Sequence, residues 1–220
     1  MTAVELAERR RAWLARARLY LVCEARPGGR DPEQLLRPAL QGGVDVVQLR
    51  DKSGDHHAAV RAARVFRRLC DAYDALFMVN DRPDLAIACG ADGVHVGQDD
   101  VEVAAARRLV GDDLLIGVST HSRAQIDAVG DADYFAVGPV FATPTKPEYE
   151  PVGTELVTYA AAHARVPFFA IGGIEAGNVE EVVAAGAERV AVVRAIRDAA
   201  DPATAARALR ERIEMHSMTR

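Results

Sequence analysis

The stretch VVQLRDK, residues 46–52, places Gln48, Arg50 and Lys52 at alternate positions. In an extended strand that spacing lines one face, with Val47 and Leu49 on the other. An amide, a guanidinium and an ammonium then point the same way, as donors for an anion do. The competing reading of an inward Arg50 is a buried ion pair, because a charge in a core must be matched. Acids recur at comparable places. Asn80 and Asp81 end the apolar run LFMVN, and VHVGQDD follows His95 with Gln98, Asp99 and Asp100. Each acid alone is compatible with an ordinary helix cap. Two carboxylates on adjacent strand ends form a hard-oxygen site for a divalent cation such as Mg²⁺, completed by water and substrate phosphate. In IGVSTHS, Ser119 and His121 alternate. No Ser-His-Asp arrangement is evident, so His121 reads as a hydrogen-bonding or capping group before it reads as a base. His95 reads as an orienting or structural imidazole rather than a metal ligand.

Three further segments carry groups suited to phosphate. VFATPTKPEYEPVG, residues 140–153, sets Thr143, Pro144, Thr145 and Lys146 in a proline-stiffened loop. It is either a plain surface loop or a rim that offers two hydroxyls and a cation. AIGGI exposes backbone amides at Gly172 and Gly173, where close approach is open. AVVRAI turns from a strand into a short helix at Val193 and Arg194. Glycine amides beside a helix start are a phosphate cradle; the alternative is an ordinary turn.

These groups need a frame. Eight short apolar, β-branched runs recur, at residues 19–23, 44–50, 76–80, 93–97, 114–119, 134–139, 168–173 and 189–193. Helical patterns lie between them. Between the second and third runs, Val60, Ala63, Phe66, Leu69 and Tyr73 form an apolar stripe at helical spacing. Asp31-Pro32 and Asp201-Pro202 read as capped helix starts, and the last helix buries Ala206, Leu209 and Ile213. Alternating strands and helices predict an α/β fold, a closed parallel (β/α)8 TIM barrel with an extra N-terminal helix. Its active site lies at the carboxyl ends of the strands, where all the residues above collect. The alternative, an open doubly wound sheet, announces itself by a glycine-rich first turn, and CEARPGGRDP has none. The expected organisation is one domain over residues 1–220: helix 1–18, barrel 19–214 and tail 215–220.

The chain has 220 residues and a formal charge of -5. No global basic field recruits nucleic acid, and the arginines at 9–11 read as a solvated helix face. Three separated cysteines show neither a zinc spacing nor a disulfide framework. No run is apolar and long enough to span a membrane. The expectation is a cytoplasmic protein of small-molecule ligands, with no nucleic-acid or membrane partner and a possible homo-oligomeric state.

QLRDK, VNDRPDLAIACGADGVHVGQDD, IGVSTHS, GPVFATPTKPEYEPVG and AIGGI together resemble, in order, the motifs of the thiamine-phosphate synthase family, from about Leu19 to Ile196. The resemblance implies a transferase that joins 4-amino-2-methyl-5-hydroxymethylpyrimidine diphosphate to thiazole phosphate, releasing pyrophosphate. It implies that Gln48, Leu49, Arg50, Asp51, Lys52, Asn80, Ser119 and Lys146 bind the pyrimidine substrate. It implies that Asp81 and Asp100 hold Mg²⁺, and that Thr143, Pro144, Thr145, Gly173, Val193 and Arg194 hold the thiazole phosphate. The implied mechanism is dissociative, with Arg50, Lys52, Lys146 and Ser119 in catalytic roles. Two positions depart from the family: the first strand ends in CEAR instead of a TD-like pair, and Arg194 stands where a small hydroxyl residue is usual. A thiazole tautomerase-like relative, or a non-catalytic barrel binding a phosphorylated ligand, would share the phosphate site but not the full cation and acid set.

Overall fold

A computed structural model describes residues 2–144 and 150–217. Its strands are β1 (Leu19–Cys23), β2 (Val46–Leu49), β3 (Leu76–Asn80), β4 (Gly93–Val96), β5 (Leu115–Thr120), β6 (Tyr134–Val137), β7 (Phe168–Ile171) and β8 (Val190–Val192). They close in sequence order into a parallel barrel, β8 returning to β1 through Leu21↔Val192. The helices are α1 (Ala3–Arg16), α2 (Pro32–Gln41), α3 (His56–Ala72), α4 (Pro83–Ala88), α5 (Val103–Val110), α6 (Arg123–Asp127), α7 (Gly153–His163), α8 (Val179–Ala184), α9 (Arg194–Arg197) and α10 (Pro202–Ser217). The expected (β/α)8 architecture with an extra first helix is therefore the observed one; β1 and β3 match the apolar runs, β5 is shifted by one residue, and the other strands are shorter than their runs.

Two apolar layers follow from the period-two alternation of the strands. Val47, Leu49, Phe77 and Val79 face outward into the helix layer. Tyr20, Val46, Met78, Tyr134 and Phe169 fill the barrel interior. Asp31 caps α2 by accepting from Glu33 N at 2.8 Å, with Pro32 at the first helical position. Asp201 accepts from Ala203 N and Thr204 N at the start of α10. Ala206, Leu209 and Ile213 are buried as expected.

Two expectations need correction. Val60 is 42% exposed; the buried stripe of α3 runs through Ala59, Ala63, Phe66, Leu69 and Cys70. Both stripes fit a 3.6-residue period, and the helix turns toward the side where Phe66 meets Phe77 of β3. The arginines at 9–11 are a solvated face only in part: Arg9 and Arg11 are exposed and Arg10 is not. Arg10 is buried, donating from Nε to Asp92 at 3.0 Å and from Nη1 to the Asp113 carbonyl at 2.9 Å. Arg11 donates to Asp133 at 2.8 Å. Helix α1 lies across the amino ends of the strands and sends Leu14 and Ala17 into the interior cluster.

Those contacts belong to a repeated device. Asp45, Asp92 and Asp133 immediately precede or nearly precede β2, β4 and β6. Each bonds one residue of the strand before through both its amide and its carboxylate. Asp45 N donates to Leu19 O at 2.9 Å, and Leu19 N donates to Asp45 Oδ2 at 3.0 Å. Asp92 does the same with Phe77, and Asp133 with Ile116. Each carboxylate is also matched by arginine: Asp45 by Arg210, Asp92 by Arg10 and Arg67, Asp133 by Arg11 and Arg107. Removing one partner from a buried ion set strands the others. Asp92→Ala is expected to lower unfolding free energy by about 3–5 kcal/mol in urea titration. Asp74→Ala, which removes an acid whose side chain is 82% exposed beside Arg9, is expected to cost less than about 1 kcal/mol.

Candidate active site

The carboxyl ends of the strands open into a cavity of about 320 Å³. Tyr20, Gln48, His95 and Phe169 line its depth, and Phe169 meets the Tyr20 ring edge-on at 5.2 Å between centroids. The inward phase of Gln48 and Arg50 is as the alternation of β2 predicts. Gln48 is buried and donates from Nε2 to Tyr20 Oη at 2.7 Å. Arg50 lines the wall and makes no ion pair among the described residues, so the buried-ion-pair reading of Arg50 falls away. Its backbone amide donates to Cys23 O at 2.8 Å, which fixes where the side chain leaves the barrel.

Lys52, beyond the strand, ion-pairs with Asp81 instead. Asp81 has φ 62°, a left-handed conformation uncommon for residues other than glycine. Its amide donates to His95 O at 2.8 Å, tying the end of β3 to β4. Burial raises the Asp81 pKa; the Lys52 hydrogen bond opposes that, and the neighbouring Asp100 carboxyl adds to it. Asp81 and Asp100 are thus brought together, as paired carboxylates must be to share a cation. The cap readings do not hold among the described residues: the N-cap positions are Arg82 for α4 and Glu102 for α5, each without a side-chain cap bond. Asp100 accepts from Gly97 N at 2.9 Å. No third His, Cys, Asp or Glu joins the pair among the described residues.

Ser119 and His121 both line the cavity. Ser119 Oγ lies 3.0 Å from His95 Nε2, and its carbonyl accepts from Gln98 Nε2 at 2.6 Å. The His121 imidazole bonds through Nδ1 to the Gly138 carbonyl, which supports the hydrogen-bonding reading. A carbonyl only accepts, so that nitrogen carries the proton.

Across the cavity lies a different wall. Gly172 (φ 102°) and Gly173 (φ 65°) take conformations that side chains rarely adopt. A Cβ on Gly172 would fall 2.4 Å from Pro139 Cα, so the loops after β6 and β7 touch backbone to backbone. Val140 N and Phe141 N donate to Ile171 O and Gly172 O across that contact. Asn178 Nδ2 donates to Gly173 O at 2.9 Å and holds the loop from behind. Thr143, Gly173, Val193 and Arg194 all border the cavity, and Arg194 opens α9. Pro144 is exposed beside Thr143. Thr145 and Lys146 lie outside the described residues. Leu49 faces the helix layer, not the cavity. Asp51 bonds Ser53 Oγ at 2.7 Å in the loop above β2. Asn80 borders the cavity.

Sequence reasoning passed over Tyr20 and Tyr134, which read as members of apolar runs. Their one signal was a hydroxyl at an inward-phase position, where it must find a partner. It also passed over Glu24, which pairs with Arg197 of α9 at 2.6 Å. The end of β1 that departs from the family pattern is thereby tied to the cradle side.

Comparison with known proteins places this geometry. The family model described as thiamine monophosphate synthase matches residues 19–196. A thiamine-phosphate synthase of Arthrobacter sp. (strain FB24) is 46% identical over 224 residues, covering 90% of this chain and 94% of that protein. One of Saccharopolyspora erythraea is 47% identical over 213 residues, covering 92% and 96%. One of Thermosynechococcus vestitus is 49% identical over 199 residues, 90% of this chain, and this chain spans only 56% of its length. Among solved structures, a thiamine phosphate pyrophosphorylase from Pyrococcus furiosus superposes with TM-score 0.84 at 32% identity, covering 94% of this chain and 98% of that one. A 3-hexulose-6-phosphate synthase from Salmonella typhimurium, at TM-score 0.70 and 18% identity over 90% of this chain and 99% of that one, shares the fold alone. The chain belongs to the thiamine-phosphate synthase family of transferases.

Proposed function

We propose that this barrel condenses 4-amino-2-methyl-5-hydroxymethylpyrimidine diphosphate with thiazole phosphate, releasing pyrophosphate and thiamine phosphate. The observation that carries the reading is the division of the cavity. Arg50 and Asn80 line one side, with the Asp81–Asp100 pair next to Asn80 on the same rim; the Gly172–Gly173 turn and Arg194 line the other. Two anionic groups have separate places, with Tyr20 and Phe169 beneath the space between them.

On this reading the diphosphate lies against Arg50, Lys52, Asn80 and Ser119, with the backbone of Leu49 and Asp51 shaping the turn above β2. Gln48 meets the pyrimidine ring. Thr143, Pro144, Gly173, Val193 and Arg194 surround the thiazole phosphate, with Thr145 joining them and Lys146 reaching the departing diphosphate. The oxygen-only donors of Asp81 and Asp100 fit Mg²⁺, which needs one or two carboxylates and takes its remaining ligands from water and phosphate. Bound there, the ion would neutralise charge on the leaving diphosphate.

Loss of diphosphate leaves a ring-stabilised methylene cation, and the thiazole nitrogen then forms the new bond to that carbon. Arg50 and Lys52 act by stabilising the charge that develops on the leaving oxygens. Lys52 is paired with Asp81 in this structure; with Asp81 engaged in holding the ion, the Lys52 ammonium would be free to meet the diphosphate. No strong general base is required. Water must be kept from the cation, which fits a cavity floored by the Tyr20 and Phe169 rings.

With both substrates and Mg²⁺, the protein is expected to form thiamine phosphate and pyrophosphate by mass spectrometry; folded protein yielding neither would sink the proposal. Conversion of a thiazole isomer with no condensation would favour the tautomerase-like alternative. Arg50→Ala is expected to lower kcat about a hundredfold. Asp81→Ala and EDTA treatment are each expected to suppress turnover, with Mg²⁺ restoring only the EDTA-treated wild type. Unchanged turnover in both would rule out the metal assignment.

A further inference from the structure

Beneath the cavity a chain of hydrogen bonds crosses the barrel interior. Gln48 Nε2 donates to Tyr20 Oη at 2.7 Å. Tyr20 Oη lies 3.0 Å from Tyr134 Oη, and Tyr134 Oη lies 3.0 Å from His95 Nδ1. His95 Nε2 lies 3.0 Å from Ser119 Oγ. The members come from β2, β1, β6, β4 and β5, and both ends, Gln48 and Ser119, line the cavity. Tyr20 and Tyr134 are no more than 2% exposed. Their contact with His95 exists because residue 117 is glycine: a Cβ there would fall 2.1 Å from Tyr134 Cζ and 2.5 Å from His95 Nδ1.

Buried hydroxyl protons need acceptors. Gln48 Nε2 can only donate, so Tyr20 accepts from it and sends its own proton to Tyr134. Tyr134 passes its proton to His95 Nδ1. That nitrogen is then bare, and a neutral imidazole carries its proton on Nε2, which donates to Ser119. The Ser119 hydroxyl proton is left for an acceptor at the cavity wall. At the other end the same Gln48 amide presents its carbonyl as an acceptor.

We infer that this chain is a polarity lock that sets Gln48 as acceptor and Ser119 as donor, and so selects the amino form of the pyrimidine. Tyr20, Tyr134 and His95 are positioning residues for the two ends. The inference rests on the synthase reading for the identity of the ring. The lock recognises an exocyclic amine, which donates to the Gln48 carbonyl, over a 4-oxo ring, which presents an acceptor there. Cutting the chain in its middle frees one end. In Tyr134→Phe the Tyr20 proton loses its acceptor. Turning the Gln48 amide over gives that proton a new one and points the NH₂ group into the cavity, where an oxo group is welcome.

The test compares the amino substrate with its 4-oxo analogue, measuring pyrophosphate release. In Tyr134→Phe the preference in kcat/KM for amino over oxo is expected to fall by about tenfold or more, the worth of one to two hydrogen bonds, with KM for thiazole phosphate unchanged. An equal loss on both rings, or a rise in both KM values, would mark general damage and overturn the lock. A second measurement needs no turnover and reads the wild type itself. Nitrogen NMR of ¹⁵N-histidine-labelled wild type is expected to show His95 protonated on Nε2 and bare on Nδ1 at neutral pH, its signal assigned by its loss in His95→Gln. A proton on Nδ1 would overturn the direction of the chain. Wild type that makes no product from the amino substrate would count against the synthase reading, and the NMR result would still decide the chain.

Discussion

A closed parallel barrel has no free edge to absorb error, so the pairing register of every strand is bound to the register of all the others. The two-way bonds of Asp45, Asp92 and Asp133 to the preceding strands sit where that register begins. A slip of one residue would turn Gln48 and Arg50 into the helix layer and Val47 and Leu49 into the cavity. The chemistry at the carboxyl ends therefore depends on carboxylates at the opposite ends, whose arginine partners on α1, α3, α5 and α10 also fasten the outer layer. These acids hold geometry; Asp81 and Asp100 sit at the other rim, one paired with Lys52 and the other accepting from Gly97 N.

The two rims use charge in opposite ways. At the base, each carboxylate is matched by guanidinium groups and backbone amides, which is the condition under which buried charge is tolerated. At the mouth, Arg50 has no ion partner among the described residues, and Asp81, though paired with Lys52, has its pKa raised by burial first and by the Asp100 carboxyl as well. Charge matched less fully than at the base is destabilising by itself and is offset elsewhere in the fold, a common mark of a site prepared for a ligand. Between the rims, the Gln48–Tyr20–Tyr134–His95–Ser119 chain carries hydrogen-bond polarity across an interior that is otherwise apolar.

The alternation of strands and helices, the inward phase of Gln48 and Arg50, the caps at Asp31 and Asp201 and the grouping of polar residues at strand ends were all legible in the sequence. They rest on local rules of period and capping. What was not legible depended on contacts between distant segments. The stripe of α3 fits two helical phases, and only packing against β3 chooses the one that exposes Val60. Arg10 looks solvated until Asp92, 82 residues away, is placed beside it. Tyr20 and Tyr134 are apolar by neighbourhood and polar by function, since each hydroxyl finds its partner only after the barrel closes. Pro144 and Thr143 could be placed at the rim by order along the chain, whereas the Glu24–Arg197 pair joins positions no spacing rule connects.

Helix α1 was described as an extra element crossing the amino ends of the strands, with Leu14 and Ala17 set into the interior cluster. It covers the amino ends beneath an interior already filled by Tyr20, Val46, Met78, Tyr134 and Phe169. The helix is held by its Thr2–Glu5 capping box at one end and by Arg10 and Arg11 along its length. Fraying there would uncover Leu14 and Ala17 and take Arg10 and Arg11 from the Asp92 and Asp133 carboxylates that set the strand register, so an element at the far end from the mouth bears on the mouth's geometry.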